Sequence, residues 1–551
     1  MPERDLTPLD RLRLTVLEAV QRAAGEQGAQ AAAAVTLERP RRAEFGDYST
    51  NAALLLAPLL GSPPREVAEQ LGRELSELLG DELRRPEVAG PGFVNLFLAD
   101  GWLVGALAGV LSLGGRYGAG GAQPAERVNV EFVSANPTGP LHVGHARNAA
   151  FGDAIARMLA FQGHEVQREF YVNDAGSQVE RFGESLHASA NGLPVPEDGY
   201  HGDYVQDLLA RVPGAASLPP TELGRAAVAL MVTDIERSLD AFGVLPFDHW
   251  SYESELYAGT PSPVDEAIAE LQSQSRTYSK DGALWLRTTE FGDDKDRVLV
   301  RSNGEHTYFA SDIAYHQAKR LRGFDRQIDV WGADHHGYLQ RMRAAFAAFG
   351  GDPDKLEMLI MQLVHLVRSG SRAQMSKRAG EFVSLDDLVA EIGADAARWF
   401  LLARSHDTTV DLDLDLARKA TSENPVYYVQ YAHARMASLL RRLDDADVHG
   451  ACEPASWRPA GELHDSERAL IMQLLAFPAE FEEAAARRAP HRITAFVLEL
   501  AQTFTAFYRD CRVVDAEPAP TRALRIALSV ATMRLLATCL ELLGISAPQE
   551  M

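Results

Sequence analysis

The chain has 551 residues, of which 46% are hydrophobic and 24% charged, with a formal net charge of −23 at pH 7. That length accommodates about three to five domains, and the composition excludes a disordered or fibrous protein. The acidic balance alone argues against nucleic-acid binding, but it does not describe local basic clusters such as residues 39–42, 441–442 and 487–492.

The cysteines and the apolar runs indicate the cellular setting. Cys452, Cys511 and Cys539 are too few for a CxxC zinc ribbon or a disulfide framework. The N-terminal sequence has no signal-peptide pattern, and no apolar run approaches the roughly 20 residues of a membrane span. We therefore expect a cytoplasmic protein with no membrane partner and no metal bound by its own side chains. We also expect it to be a monomer.

Residues 1–118 are predicted to form an N-terminal α+β domain. Apolar residues at helical spacing indicate helices near residues 12–19 and 54–60. A glycine–proline turn at 90–92 precedes an alternating segment at 93–97, which is typical of a strand. The glycine-dense residues 114–121 are interpreted as a linker.

Residues 119–416 carry the signs of a doubly wound parallel, Rossmann-like domain. A strand at 128–133, a helix at 144–161 ending at Gly163 and a strand at 166–172 make a βαβ unit. The rhythm returns later with a strand at 328–331, a helix at 335–349 and an apolar run at 356–367. The alternation predicts a parallel sheet, and the long stretch between its two halves must contain an insertion.

Residues 417–551 show helical periodicity throughout. Apolar residues recur within 426–440, 470–481, 493–508 and 524–543, which predicts an α-helical bundle. Just before it, Asp411, Asp413 and Asp415 alternate with leucines, and a half-exposed strand explains them better than a calcium loop.

The chemistry centres on the sequence HVGH at residues 142–145, where a strand gives way to a helix. Free backbone N–H groups and the helix dipole attract anions there, and Gly144 allows close approach. Two imidazoles can donate to phosphate oxygens as charge builds in a transition state. A weak metal pair or two surface histidines is the alternative.

A second element, Gln374 to Gly380, follows the later apolar strand and contains Lys377. The lysine could pair with the same triphosphate, whereas a solvated basic turn is the plain alternative. Both elements in this order, each after a strand, are much less expected by chance than either alone.

These two elements resemble the HIGH and KMSKS signatures of class I aminoacyl-tRNA synthetases. Segments 131–142, 170–176, 307–315, 334–336 and 424–435 are most similar to the arginyl-tRNA synthetase family, and 46–51 and 92–95 are similar to its extra N-terminal domain. One departure is that Gln374 and Arg378 replace the first lysine and the last serine of KMSKS.

The resemblance implies a role for many residues of this chain. Implied as catalytic are His142, His145 and Lys377. Implied as ATP-binding are Thr138, Gly139, His142, Gly144, His145, Met375, Ser376, Lys377 and Arg378. Implied as arginine-binding are Glu131, Ser134, Asn136, Tyr308, Asp312 and Gln340. Implied as tRNA-binding are Phe93, Asn95, Asn424, Tyr427, Tyr431, Arg435 and Tyr508.

Physical chemistry alone leaves some of these roles open. Tyr308 and Asp312 share a helix face at spacing i, i+4, and a guanidinium favours a carboxylate partner. Asp312 could equally be an ordinary carboxylate near a helix N-terminus. Tyr427, Tyr431, Phe507 and Tyr508 could stack on unpaired anticodon bases or belong to the bundle core.

The implied function is ATP-dependent activation of L-arginine to arginyl-adenylate and its transfer to the 3′ end of tRNA(Arg). Mg²⁺ is expected as the counter-ion of ATP, and tRNA is expected to bind before activation. Alternatives are a class I synthetase for another amino acid, a nucleotidylyltransferase, or an inactive tRNA-binding relative. A helical C-terminal domain disfavours the second, and intact His142, His145 and Lys377 disfavour the third.

Overall fold

The computed structural model describes residues 6–40, 42–372, 383–457 and 462–551. Its N-terminal part contains four strands in one antiparallel sheet, in the order β1-β2-β4-β3, with helices packed against them. The elements are α1 (Pro8–Ala24), α2 (Glu26–Ala31), β1 (Leu37–Glu38), β2 (Tyr48–Thr50), α3 (Ala52–Leu60), α4 (Pro64–Leu79), β3 (Leu83–Ala89), β4 (Phe93–Leu98) and α5 (Asp100–Leu113). The glycine–proline turn joins β3 to β4, so the predicted α+β character is confirmed.

The central part is built on a five-stranded, wholly parallel sheet in the order β12-β11-β5-β6-β7. Its first half comprises β5 (Arg127–Glu131), α6 (Val143–Gln162), β6 (Glu165–Val172), α7 (Ser177–Ala190), α8 (Asp203–Arg211), α9 (Pro220–Ala241), β7 (His249–Tyr252) and α10 (Glu253–Leu256). The insertion follows as α11 (Pro263–Ser273) and an antiparallel sheet of β8 (Thr277–Lys280), β9 (Ala283–Leu286) and β10 (Arg297–Val300).

The second half comprises α12 (Tyr308–Leu321), β11 (Arg326–Gly332), α13 (Leu339–Ala348), β12 (Leu356–Met361), β13 (Val364–Arg368), β14 (Ser371–Arg372), α14 (Leu385–Ile392), α15 (Ala394–Leu402), β15 (Val410–Asp413) and α16 (Leu414–Ala417). The chain therefore runs outward from β5 to β7, then returns to place β11 and β12 on the other side. A doubly wound sheet leaves a crevice at the carboxyl ends of its strands where the order reverses, here between β5 and β11.

Two segments differ in detail from the sequence prediction. The predicted helix 335–349 starts with a 3-10 stretch, Ala333–Tyr338, before α13. The apolar run 356–367 is two strands rather than one, because β12 belongs to the parallel sheet and β13 pairs with β14 and β15 in another sheet. The aspartate-rich strand is confirmed as β15, which pairs with β13 and alternates buried and exposed residues.

The C-terminal part is the predicted helical bundle. Its elements are α17 (Pro425–Leu440), α18 (Asp445–Ala451), α19 (Asp465–Ala486), α20 (Pro490–Asp510) and α21 (Ala519–Leu542). Helix α21 is long and apolar enough to cross a membrane by length and composition alone, a test that a buried core helix also passes. In the structure 67% of its apolar window is buried, as expected for a core helix of the bundle.

The glycine-dense segment after α5 is held against the bundle and is not a free linker. Tyr117 is buried there, and its hydroxyl donates to the Leu474 carbonyl at 3.2 Å. Helix α5 itself packs on α19 and α21. The N-terminal and C-terminal parts of the chain therefore contact each other.

A buried arginine ties α6 and α15 to the end of the bundle. Arg398 of α15 donates to Asp153 Oδ2 of α6 at 2.6 Å, and both side chains are fully buried. The same guanidinium donates to the carbonyls of Leu543, beyond α21, and Phe242, beyond α9. One arginine thus joins three segments that are distant in sequence.

Candidate functional site

A cavity of about 870 Å³ opens in the predicted crevice, at the carboxyl ends of the parallel strands and the N-terminus of α6. The ends of β5, β6, β11 and β12 contribute to its walls, together with α12 and the 3-10 stretch before α13. Among its lining residues are Glu131, Ser134, Asn136, His142, Gly144, His145, Asn148, Tyr171, Tyr308, Asp312, Trp331, His335, Tyr338, Gln362, Leu363 and Val364.

The two motif histidines form a stacked pair at one end of this cavity. Their ring centroids lie 3.7 Å apart with an interplanar angle of 23°. The Gly144 N–H donates to His142 Nδ1 at 3.0 Å, and the His142 N–H donates to His145 Nδ1 at 3.2 Å. Since each Nδ1 accepts, the proton of each neutral ring is on Nε2.

Burial keeps both rings neutral. It lowers the pKa of His142, and burial together with the His142 charge lowers the pKa of His145 to about 3. The pair therefore offers two neutral Nε2–H donors at a helix N-terminus near pH 7. Such donors stabilise anionic oxygens by hydrogen bonding, and neither ring has to gain or lose a proton to do so.

Glycine is required between the histidines. A Cβ on residue 144 would lie 2.8 Å from His142 Cε1 and 3.0 Å from its Nδ1. Any side chain at this position would displace the ring that caps α6. The close packing of residue 144 against the His142 ring therefore explains why a glycine precedes the second histidine of the motif.

Two neighbouring carboxylates have raised pKa values: Asp312, which lines the cavity, and Glu253, which lies close to Asp312 but outside the cavity lining. Burial raises the pKa of Asp312, although the Tyr338 hydroxyl donates to its Oδ2 at 2.6 Å. Burial, followed by the charges of Asp312 and Asp174, raises the pKa of Glu253 to about 7. A cation placed between these two carboxylates would stabilise the ionised form of both.

Behind these groups, a buried lysine fixes the pocket wall. Lys319 donates to Glu131 and, at 2.9 Å, to Asp329 Oδ1. His316 Nε2 lies 2.8 Å from the other Asp329 oxygen. Although burial alone would lower it, these carboxylates raise the pKa of Lys319. Glu131 is therefore held in a fixed orientation at the end of β5.

The turn after β5 is strained. Val133 and Ser134 have positive φ values of 70° and 39°. This conformation places Ser134 Oγ 2.8 Å from Glu131 Oε1, where it donates, and lets it accept the Tyr171 N–H at 3.2 Å. Such backbone strain concentrates at functional sites.

The structure gathers most, but not all, of the predicted substrate residues at the cavity. Glu131, Ser134, Asn136, Tyr308 and Asp312 line it, as do the two histidines and the intervening glycine. Tyr308 is 64% exposed, so it is free to meet a ligand.

Three predicted residues lie away from that lining. Gln340 is exposed on α13, and its amide donates to the Gly292 carbonyl at 2.7 Å. Thr138 is buried and its carbonyl accepts the Tyr204 hydroxyl at 3.0 Å, while Gly139 lies beside the same tyrosine. The structure thus gives Gln340 a contact to the insertion, and Thr138 and Gly139 contacts to α8. The predicted residues Met375, Ser376, Lys377 and Arg378 lie outside the described residues.

The predicted tRNA contacts divide into exposed and buried groups. Phe93, Tyr431 and Tyr508 are exposed, and Tyr427 stacks on Tyr431 with centroids 6.1 Å apart. Buried members are described next.

Asn95 is buried on β4, and Phe507 belongs to the bundle core. The buried Asn424 amide donates to the carbonyls of Ala417 and Lys419, at the start of α17. These side chains support the fold and do not present a surface.

Two residues that the sequence analysis did not name are prominent here. Glu253 directly follows β7, so the rule that sites lie at the carboxyl ends of parallel strands could have found it, had β7 been predicted. Tyr338 lies in the 3-10 stretch that was predicted to be helical. Its contact with Asp312 spans 26 residues, and no local pattern signals it.

Three family models match successive parts of the chain. The arginyl tRNA synthetase N terminal domain matches residues 10–98, and the DALR anticodon binding domain matches residues 429–551. The model of tRNA synthetases class I (R), catalytic domain, matches residues 107–189 and 223–438.

Solved structures give the same picture. A Campylobacter jejuni protein assigned as an arginyl-tRNA synthetase is 32% identical, with a TM-score of 0.74, 82% of this chain covered and 100% of that one. The arginyl-tRNA synthetase of Thermus thermophilus is 25% identical, with a TM-score of 0.75, 98% of this chain covered and 100% of that one. The Plasmodium falciparum arginyl-tRNA synthetase, at 16% identity and a TM-score of 0.72, shares the fold over 99% of this chain and 100% of its own.

Proposed function

From the premise that this chain belongs to the arginyl-tRNA synthetase family, we propose how its cavity is divided between its substrates. The family's reaction is the ATP-dependent ligation of arginine to tRNA. One observation carries the division: a single cavity joins a helix N-terminus bearing neutral imidazole donors to Asp312, a carboxylate with a raised pKa that lies close to Glu253. The first end suits a triphosphate, and the second suits a guanidinium.

At the acidic end, Asp312 and Glu253 bind the guanidinium of arginine. A planar fork of five donors can satisfy two carboxylates and the Tyr308 hydroxyl together, whereas an ammonium group cannot match that geometry. The hydrogen bond from Tyr338 orients Asp312 for this contact. Glu131, Ser134 and Asn136 face the same cavity, where they bind the α-amino group.

At the other end, His142 and His145 bind the phosphates of ATP, and Lys377 joins them from its loop. The arginine carboxylate attacks the α-phosphorus, the bond to pyrophosphate breaks, and arginyl-adenylate forms. The terminal ribose hydroxyl of tRNA then attacks the adenylate carbonyl and AMP leaves. Positioning and charge stabilisation supply the rate, without a protein nucleophile.

Mg²⁺ is proposed to accompany ATP as its counter-ion. In the described ranges, no group of three or more His, Cys, Asp or Glu side chains comes together to hold a metal. The imidazole end of the cavity suits phosphate oxygens, which are themselves preferred ligands of Mg²⁺.

Arginine binding is expected to strengthen as pH rises through 7. A guanidinium favours ionised carboxylates, and Glu253 is half-protonated near its pKa of about 7. Binding should therefore release protons below and around that pH. Calorimetric titration of arginine in buffers of different ionisation enthalpy measures the release directly.

The matched control is Glu253→Gln, which should weaken arginine binding and flatten its dependence on pH. An unchanged pH profile in this variant would show that another group controls the titration, and would remove Glu253 from the arginine site.

We also propose that the bundle binds the anticodon of tRNA(Arg) through an aromatic and basic groove of about 460 Å³. Tyr431 and Tyr508 are 41% and 37% exposed. The Arg435 guanidinium lies 4.9 Å from one ring centroid and 5.2 Å from the other. Exposed rings held by a cation provide a platform for unpaired bases. The exposed Phe93 of the N-terminal part is proposed to touch the tRNA elbow.

Tyr431→Ala is expected to raise the KM for tRNA by roughly tenfold, since a base–aromatic stack contributes about 1–3 kcal/mol. The KM values for arginine and ATP, measured by aminoacylation at saturating tRNA, should stay unchanged. Tyr431→Phe keeps the ring and loses only the hydroxyl that accepts from Arg435, so it should behave nearly as the parent. Equal defects in both variants would argue against stacking.

The last part of the proposal is the division of the chain into units and its oligomeric state. We propose units at residues 1–118, 119–416 and 417–551, acting together as a cytoplasmic monomer. Cys452, Cys511 and Cys539 are free thiols, which suits a reducing compartment.

A further inference from the structure

A buried arginine next to the motif histidines has no role in the scheme above. Arg147 lies on α6, two residues after His145, and is 1% exposed. Its guanidinium donates to three backbone carbonyls: Gln362 at 2.7 Å, Ser405 at 2.9 Å and Thr408 at 2.8 Å. A guanidinium that donates to the carbonyls of two separate loops fixes the positions of both loops relative to its own helix, because each hydrogen bond has its own direction.

One of those loops is a wall of the cavity. Gln362, Leu363 and Val364 line it between β12 and β13. Leu363 is 60% exposed there and presents an apolar surface. The second loop is joined to the first by the Gln362 N–H, which donates to the His406 carbonyl at 2.9 Å.

The histidine pair and Arg147 are carried by the same rigid helix. The bond from Arg147 to Gln362 therefore holds the wall at 362–364 relative to the phosphate-binding imidazoles. The bonds to Ser405 and Thr408 hold the second loop, to which Gln362 is hydrogen-bonded. A ligand that touches both the imidazoles and this wall must match the distance between them. ATP is extended, with a charged triphosphate at one end and an apolar-faced base at the other.

We propose that Arg147 is a positioning residue for ATP, which holds the wall at 362–364 at a fixed separation from His142 and His145 so that one nucleotide contacts both. The inference rests on the proposed placement of the nucleotide at this end of the cavity. Arginine binds at the other end and is not positioned by Arg147.

The test compares the change in the KM for ATP with the change in the KM for arginine in steady-state aminoacylation. Arg147→Lys keeps the charge but offers donors from a single point, so it cannot hold three carbonyls in two loops. It should raise the KM for ATP by about tenfold and change the KM for arginine by less than about twofold. Should the lysine variant not fold, Arg147→Gln takes its place and the same split is required.

Arg157→Lys is the matched control. This guanidinium on the same helix also donates to backbone carbonyls, those of Glu541 and Gly243, but neither lines the cavity. It should leave both KM values unchanged. Equal rises in the two KM values for the Arg147 variant, or loss of thermal stability without a split, would overturn the positioning role.

Leu363→Ala separates this inference from the proposed function. The side chain is exposed, so its truncation should not affect folding, and it should raise the KM for ATP. If it leaves that KM unchanged, the nucleotide does not lie on this wall and its placement fails. If it raises the KM while Arg147→Lys does not, only the role of Arg147 fails.

Discussion

Asp312→Asn is expected to lower kcat/KM for arginine by a factor on the order of 10² to 10³, because breaking one side of a buried ion pair costs about 3–5 kcal/mol. Folding should not suffer. Burial and the Glu131 charge already raise the pKa of this carboxyl, so a neutral amide removes a repulsion. Pyrophosphate exchange with arginine, in the presence of tRNA, measures the loss.

Citrulline sharpens this experiment, because it has the shape of arginine and no charge. The parent should discriminate strongly against citrulline, and the asparagine variant much less. Tyr338→Phe, which removes the hydroxyl bond to Asp312 and keeps the ring, should show a smaller loss. Full arginine activity in Asp312→Asn would place the guanidinium elsewhere.

The second large effect is expected at the imidazole pair. His142→Asn should reduce kcat by a factor on the order of 10² to 10³, the usual loss when one donor to a developing anion is removed. Asparagine is a preferred N-cap, so α6 should remain capped and thermal stability nearly unchanged. The shorter amide cannot reach where the imidazole Nε2 reaches.

The chain supplies its own control for this variant. His464 caps α19 in the same way, with its Nδ1 accepting the Ser466 N–H at 3.1 Å. His464→Asn therefore makes the same chemical change at a helix N-terminus remote from the cavity. Equal losses of activity in the two variants would mean that capping, and not catalysis, is the function of His142.

The parts of the fold that follow from local periodicity were predictable. The helix after the HVGH sequence, the flanking strands and the four long bundle helices each have an apolar pattern of the right period. The doubly wound sheet followed from the alternation of strand and helix, whereas the position of its crevice follows from the strand order that the structure shows. Family resemblance then supplied roles that spacing left open, such as that of Asp312.

What escaped prediction depends on contacts between distant residues. Lys319 is an ordinary helix residue in sequence, and only the packing of α12 on the sheet places it between Glu131 and Asp329. Glu131 and Lys319 are too far apart in the sequence for any local pattern to signal their contact.

The Asp153–Arg398 pair has a consequence for how the chain loses its structure. If the bundle detached, the Arg398 guanidinium would lose its hydrogen bond to the Leu543 carbonyl. The contacts that stabilise this fully buried charge would then be weakened. Detachment of either unit is thus penalised by the other. We therefore expect the central and C-terminal units to be coupled in unfolding and to melt as one cooperative block.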